Sequence, residues 1–232
     1  MSVCRASSEF TRANSVYRCR ALDDLGWLEH GFPTRTASLH PGSIPITTLR
    51  QVHSAEVRNA DSLEDRALEG DALIASRTGI RVGVRTADCV PILMADPKTR
   101  SVAAVHAGWR GTLARIGART VEQMTAEFGT DPENLQVAIG PSIRVCCYEV
   151  GEDVAGQFRS LFPEWKDADR TNGRKSLDLI EANKRTLAAA GVASAHIHDL
   201  GLCTFCCADE FYSYRREPDN PGRMTSFIGR AI

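Results

Sequence analysis

The densest block of apolar positions lies between Val84 and Gly111, where two Val-rich runs flank the polar turn Asp96-Pro97-Lys98. Short apolar runs bounded by Pro and Gly read as buried strands. Turn chemistry at Asp96-Pro97 predicts that residues 91–95 and 102–105 pair as a hairpin. After Gly111 the period changes. Leu113, Ile116, Val121, Met124 and Phe128 recur close to a helical period, with Arg115, Arg119, Glu122, Gln123 and Glu127 on the other face. Residues 112–128 therefore read as an amphipathic helix, stopped by Gly129. A second helix is predicted over residues 176–190, with Ser176 as N-cap, Gly191 as stop and Leu177, Ile180 and Leu187 on its buried stripe.

Elsewhere the pattern is shorter and strand-like. Residues 48–57, 71–75, 81–85, 135–139, 195–198 and 211–214 read as strands, the second and third flanking a turn at Arg77-Thr-Gly79, and a further strand is expected to end near Phe32. Residues 34–45 hold Ser, His, Pro and Gly without a period and read as a loop. The polar residues 1–15 are expected to be irregular or disordered. No repeat or low-complexity linker divides the remainder, so residues 16–232 are expected to form a single domain of mixed α/β class, a layered mixed sheet with packed helices.

Composition narrows the function classes. The 232 residues suffice for one large domain, and 43% apolar with 25% charged residues is ordinary for a soluble globular protein. A net charge of −1, with signs interleaved, gives no basic surface for nucleic acid or anionic membrane. No apolar run reaches the roughly 20 residues of a membrane span. The N-terminus lacks the hydrophobic stretch of a signal peptide, which points to a cytoplasmic protein with its eight cysteines reduced.

His53, Cys89 and His106 form the sharpest chemical constellation. Two imidazoles and a thiolate suit a tetrahedral zinc with its fourth position open, and their wide separations require a folded sheet to bring them together. Taken singly, such residues are more often a satisfied core histidine and an inert buried thiol. A second group, Cys146-Cys147 with Cys203-Thr-Phe-Cys206-Cys207, has metal-site composition. Its first pair is adjacent, and adjacent side chains point apart in extended chain, which favours reduced thiols packed without metal. Arg35 and Arg110 lie near Gly-rich or turn segments and suit bidentate binding of phosphate or carboxylate, although solvated surface charge is the commoner fate. Asp88, beside Cys89, is a general base or caps a turn.

Seven segments together resemble one known family: Gln51-Val-His-Ser54, Thr86-Ala-Asp-Cys-Val-Pro91, His106-Ala-Gly-Trp-Arg-Gly111, Ala138-Ile-Gly-Pro-Ser-Ile143, Cys146-Cys-Tyr-Glu-Val-Gly151, Phe211-Tyr-Ser-Tyr-Arg-Arg216 and Gly222-Arg-Met-Thr-Ser-Phe-Ile228. The chain is similar to the polyphenol oxidase or multicopper laccase-domain family, also described as purine nucleoside phosphorylase and as peptidoglycan editing factor. The likeness runs in one order from about His30 to Ile228. It implies a laccase-domain (cysteine-hydrolase-like) α/β fold and zinc, rather than copper, at the positions of His53, Cys89 and His106. It also implies phosphorolysis of adenosine, inosine, guanosine and methylthioadenosine, with adenosine deamination as a companion activity. Residue chemistry, not the likeness, assigns catalytic roles to Cys89, His106 and Asp88, and phosphate binding to Arg35 and Arg110. The partners are nucleosides and phosphate, with no nucleic acid or membrane, and a monomer is favoured. Relatives have a longer Gly-rich loop where this chain has Thr-Ala-Ser-Leu-His-Pro-Gly after Arg35. A multicopper oxidase needs many histidines, and this chain has six. The alternative is an amidase or hydrolase editing a cell-wall precursor, by Cys89–His106 or by zinc-water chemistry.

Overall fold

The computed structural model describes residues 4–38, 45–62, 68–162, 168–169, 175–219 and 222–230. Two six-stranded sheets carry the architecture, with a small three-stranded sheet formed by Glu149–Val150, Lys175–Ser176 and Ala168–Asp169. The first sheet runs, edge to edge, through Phe10–Ala13, Val16–Cys19, Leu28–Pro33, Met224–Arg230, Arg81–Thr86 and Ile46–Thr47. The second runs through Ile197–Asp199, Gln136–Ile139, Val90–Ala95, Val102–Ala107, Ala72–Ala75 and Val57–Asn59. Its central strands are antiparallel, and the strand at each edge pairs in parallel.

The second sheet is the middle layer of the molecule. Leu73, Leu93, Ala95, Val102 and Ala104 pack towards Phe32, Val82, Val84 and Ile228 of the first sheet. Their neighbours Ile74, Ile92, Met94, Ala103 and Val105 face the other way, towards Ile116, Val121 and Met124 of one helix, Phe158 of a second and Ile180 and Leu187 of a third. A strand covered on both faces carries no polar alternation, which is why these runs are continuously apolar. The hairpin predicted for residues 91–95 and 102–105 spans Val90–Ala95 and Val102–Ala107.

Several expectations need correction. The helix expected over residues 112–128 begins earlier and is broken: Trp109–Leu113 and Ile116–Phe128 are separated at Arg115, which has left-handed backbone at φ 59°. Gly129, at φ 69°, stops it as expected. The later helix is Leu179–Ala189, capped not by Ser176 but by Asp178, whose carboxylate accepts from the N–H groups of Ile180 and Glu181. Ser176 is occupied in a strand.

Residues 1–15 are not uniformly irregular, because Phe10–Ala13 forms a hairpin with Val16–Cys19 and buries Phe10. Nor are all eight cysteines reduced, since Cys4 and Cys207 are joined in a disulfide that pins this end of the chain to the 203–211 segment. Residues 211–214 are not a strand. Phe211 is swallowed by the core, and the hydroxyl of Ser213 is taken by Asp88. The helix Glu152–Leu161 was not foreseen. Part of the loop expected at 34–45 lies outside the described residues. Among those residues, no helix is long and apolar enough to cross a membrane.

The two sheets meet closely at Gly140, just after the strand Gln136–Ile139. A Cβ there would fall on the ring of the fully buried Phe32 and 2.9 Å from Cγ of Pro91. Gly140→Ala should therefore destabilise the protein by about 1–3 kcal/mol, the usual cost of overpacking, read as a lower midpoint in urea. An unchanged midpoint would show that Phe32 can move aside.

Candidate metal centre and its cleft

The open end of the central hairpin builds the site. In its register Val90 lies opposite Ala107 and Pro91 opposite His106, so the residue entering the first strand, Cys89, is delivered beside the end of the second. The third ligand candidate comes from an irregular segment. Residues 48–57, expected as a strand, instead leave the first sheet after Ile46–Thr47 and join the second at Val57–Asn59. Between them, His53 sits in left-handed backbone at φ 59°.

What holds that segment is Asp71, a residue the sequence reading placed in a strand and gave no chemical role. Its buried carboxylate accepts from the N–H groups of Val52, His53 and Ser54, at 3.3, 3.0 and 2.7 Å, and from the Ser54 hydroxyl at 2.7 Å. It also meets Nδ1 of His106 at 2.8 Å. Burial works against its ionisation, but hydrogen bonds from His106 and Ser54 outweigh that and hold the carboxyl at about 2. An ionised carboxylate only accepts, so Nδ1 of His106 carries the proton and Nε2 is left for the cleft. A carboxylate orienting a histidine in this way is the arrangement that supports metal-ligating imidazoles. A buried acid immediately before an apolar strand, at Gly70-Asp71-Ala72, was the available signal.

Donor atoms of His53, Cys89 and His106 lie within 4.8 Å of one another. Sγ of Cys89 is 3.9 Å from Nε2 of His53, and the two imidazoles meet edge to face with centroids 4.9 Å apart. Gly108 makes the room: a Cβ there would lie 3.0 Å from Cδ2 of His53 and 3.1 Å from Sγ of Cys89. The donor set, its spacing and the orienting Asp71 fit one tetrahedral metal ion with a position left for another ligand.

The same contacts tune the Cys89 thiol. Burial raises its pKa, but hydrogen bonds from His106 and His53 and their positive charge prevail, and it falls to about 6. Burial lowers His106, yet the bonds to Asp71 and Cys89 lift it to about 9. Without metal, thiolate and imidazolium therefore coexist at neutral pH.

The centre opens into a cleft of about 770 Å³, the size of a small-molecule site. Among the described residues its rim carries five arginines, Arg50, Arg85, Arg110, Arg215 and Arg223, against one acid, Asp88. Arg110 is exposed, its guanidinium 4.3 Å from the ring of Trp109. Arg35 is not among the lining residues. It stacks on Tyr212 at 4.7 Å, donates to the Ala208 carbonyl and approaches Glu217, contacts that hold the 208–217 segment instead. Asp88 lines the cleft, but its carboxylate accepts from Thr204 Oγ1 at 2.6 Å, Ser213 Oγ at 3.1 Å and the Arg215 N–H at 2.7 Å. Those three donors give it a bracing position, at φ 90°, between the strand entry and the 204–215 loop. Sequence reasoning missed Arg85 and Arg215, as well as Tyr148 and Tyr214, because rim residues have no period.

Two outcomes follow. Gly108 has φ −72° and ψ 175°, which any residue adopts, so Gly108→Ala acts through space alone. It should weaken metal binding by roughly 10–100-fold, as altered support of a ligand does, measured by competition with a chelator; undiminished affinity would contradict the crowding. In metal-free protein, iodoacetamide labelling of Cys89 should follow an ionisation near pH 6, well below the about 8.5 of an ordinary cysteine. Labelling that begins only above pH 8 would refute the thiolate.

The chain resembles known proteins over most of its length. The family described as multi-copper polyphenol oxidoreductase laccase matches residues 34–231. The chain is 45% identical over 183 residues to a purine nucleoside phosphorylase of Deinococcus radiodurans, covering 78% of this chain and 68% of that protein. It is 40% identical over 193 residues to adenosine deaminase RL5 of an unknown prokaryotic organism, covering 78% and 73%. Among solved structures, YlmD from Geobacillus stearothermophilus superposes with a TM-score of 0.86 at 30% identity, over 97% of this chain and all of that one. The hypothetical protein YfiH of Bacillus licheniformis gives 0.86 at 26% identity over the same shares. With most of its length matched, the chain belongs to the multi-copper polyphenol oxidoreductase laccase family.

Proposed function

We propose that this protein is a zinc-dependent purine nucleoside phosphorylase that also deaminates adenosine. The observation that carries the reading is the cleft itself, in which, among the described residues, a His-Cys-His centre lies with five arginines and one acid. Such a rim concentrates an anionic co-substrate, and phosphate is the anion a nucleoside-cleaving enzyme consumes. The names of the Deinococcus and RL5 relatives support both halves of the activity.

In phosphorolysis a phosphate oxygen forms a bond to the ribose C1′ while the bond from C1′ to the purine nitrogen breaks. The electron pair leaves with the base, which takes up a proton. Arg85, Arg110 and Arg215 are suited to hold the phosphate, since guanidinium forks grip it at two oxygens. Trp109, Tyr148 and Tyr214 offer flat apolar walls for a purine. Burial raises the Tyr148 phenol to about 12, so it stays a hydrogen-bond donor at neutral pH. Asp71 keeps His106 in one tautomer, and Asp88 holds the loop bearing Arg215 in place. His53, Cys89 and His106 would hold zinc, which supplies Lewis acidity and a water acidified towards about 7. Zinc is favoured over copper because a multicopper centre needs more imidazoles than the two assembled here.

A second reading rests on the chain Asp71–His106–Cys89, a carboxylate orienting a histidine that hydrogen-bonds a thiolate. That is the geometry of a cysteine amidase, in which zinc would block the nucleophile.

One assay separates the two. Base release from inosine should require phosphate and zinc, and Arg110→Lys, which keeps the charge but loses the fork, should raise KM for phosphate more than KM for nucleoside. Adenosine deamination should survive that substitution better and still fail in Cys89→Ala. Phosphate-independent release would sink the phosphorylase reading, and hydrolysis of cell-wall amides by zinc-stripped protein would install the amidase.

A further inference from the structure

The two cysteine pairs set aside on sequence grounds do not pack apart. Residues 145–147 form a turn, and so do residues 204–206. In a turn, adjacent side chains are no longer forced to opposite sides, so the objection that applies to extended chain fails for Cys146 and Cys147. A parallel bridge between Ser142 and Cys203 brings the two turns together, reinforced by Thr204 N–H donating to the Ser142 carbonyl at 3.0 Å.

The result is a group of four sulfurs, from Cys146, Cys147, Cys203 and Cys206, all within 4.8 Å of one another. Sγ of Cys206 lies 3.8 Å from that of Cys146 and 3.3 Å from that of Cys147. A tetrahedral zinc with bonds of about 2.3 Å holds its thiolates about 3.8 Å apart. An iron–sulfur cluster puts bridging sulfides between its cysteines and would spread them further. Core packing does not explain the group either, because Cys146 and Cys206 are exposed. The backbone N–H groups of Phe205, Cys206 and Arg144 point at Sγ of Cys203, fixing that sulfur as an acceptor. Arg216 secures the turn from behind, donating to the carbonyls of Thr204 and Phe205 at 2.8 and 3.0 Å.

We infer that Cys146, Cys147, Cys203 and Cys206 form a second metal centre, a closed tetrathiolate zinc site separate from the His-Cys-His centre. With four protein ligands it has no position for substrate, so its work is structural. It clamps together the two loops that supply Ile143, Tyr148, Tyr214 and Arg215 to the cleft wall. The inference does not depend on which reaction the cleft performs.

Metal analysis of the full chain, purified with reductant, tests it. Wild-type protein should hold two zinc ions, one for each donor group. Cys146→Ser with Cys206→Ser should lose one and His53→Ala with His106→Ala the other. As a test independent of the variant's folding, wild-type protein is also loaded with cobalt(II), which should develop the intense visible and near-ultraviolet bands of a tetrathiolate site. A mercurial thiol reagent should release two zinc equivalents to a chromogenic chelator. Wild-type protein with a single zinc, no tetrathiolate cobalt spectrum, or a Cys147–Cys206 disulfide found by peptide mapping in place of metal would overturn the proposal.

Discussion

The site depends on one buried carboxylate. Asp71 sits in the middle layer at the mouth of the central hairpin, where an unpaired charge would cost several kcal/mol. Five donors offset that cost: three consecutive backbone N–H groups, one hydroxyl and one imidazole. Each of those bonds also shapes the centre. The backbone donors wrap residues 52–54 around the carboxylate and set His53 in left-handed backbone, a conformation an L-residue holds only when its surroundings insist on it. The imidazole bond fixes His106. One acid thus orients two of the three donors, and the third arrives through the register of the hairpin.

That dependence explains where sequence reading succeeded. Residues 91–95 and 102–105 were recognisable because a strand covered on both faces must be apolar throughout, and a Pro-containing turn closes the pair. His53, Cys89 and His106 stood out as residue types, and the order of their motifs pointed to one family. Residues 48–57 failed because strand periodicity assumes that backbone N–H groups find a neighbouring strand, whereas here a side chain satisfies them. Ser176 lost the cap to Asp178 for a similar reason: both are good acceptors, and only tertiary pairing decides which is free. Arg35 and the rim arginines could not be ranked from sequence, since whether a guanidinium faces a cleft or a carbonyl is settled by how distant loops fold back.

The cleft wall divides the labour between rigid and loop-borne parts. His106 lies in a strand buried in the middle layer and Cys89 enters its partner strand, where close packing leaves little freedom. Arg215 and Tyr214 come from a loop, and its attachment runs through Asp88, Arg216 and the neighbouring cysteines. The placement of the candidate ligands is therefore set by the core, while the shape of the cleft is set by side-chain contacts between loops. Within this family, substrate preference should be able to drift by loop change without disturbing the ligands.

The strand Met224–Arg230 has a consequence for how the protein is made. It lies inside the first sheet, with Ile228 opposite His30 on one side and Val82 on the other. Until those residues leave the ribosome, the strands Leu28–Pro33 and Arg81–Thr86 have no shared partner, and their inward faces wait with edges unpaired. A nascent chain in that condition is a substrate for chaperones and a template for association with its neighbours. Completion of the sheet is thus a late, long-range event in biosynthesis, and frameshifts or stops before Met224 should yield insoluble product even though every candidate ligand has already been translated.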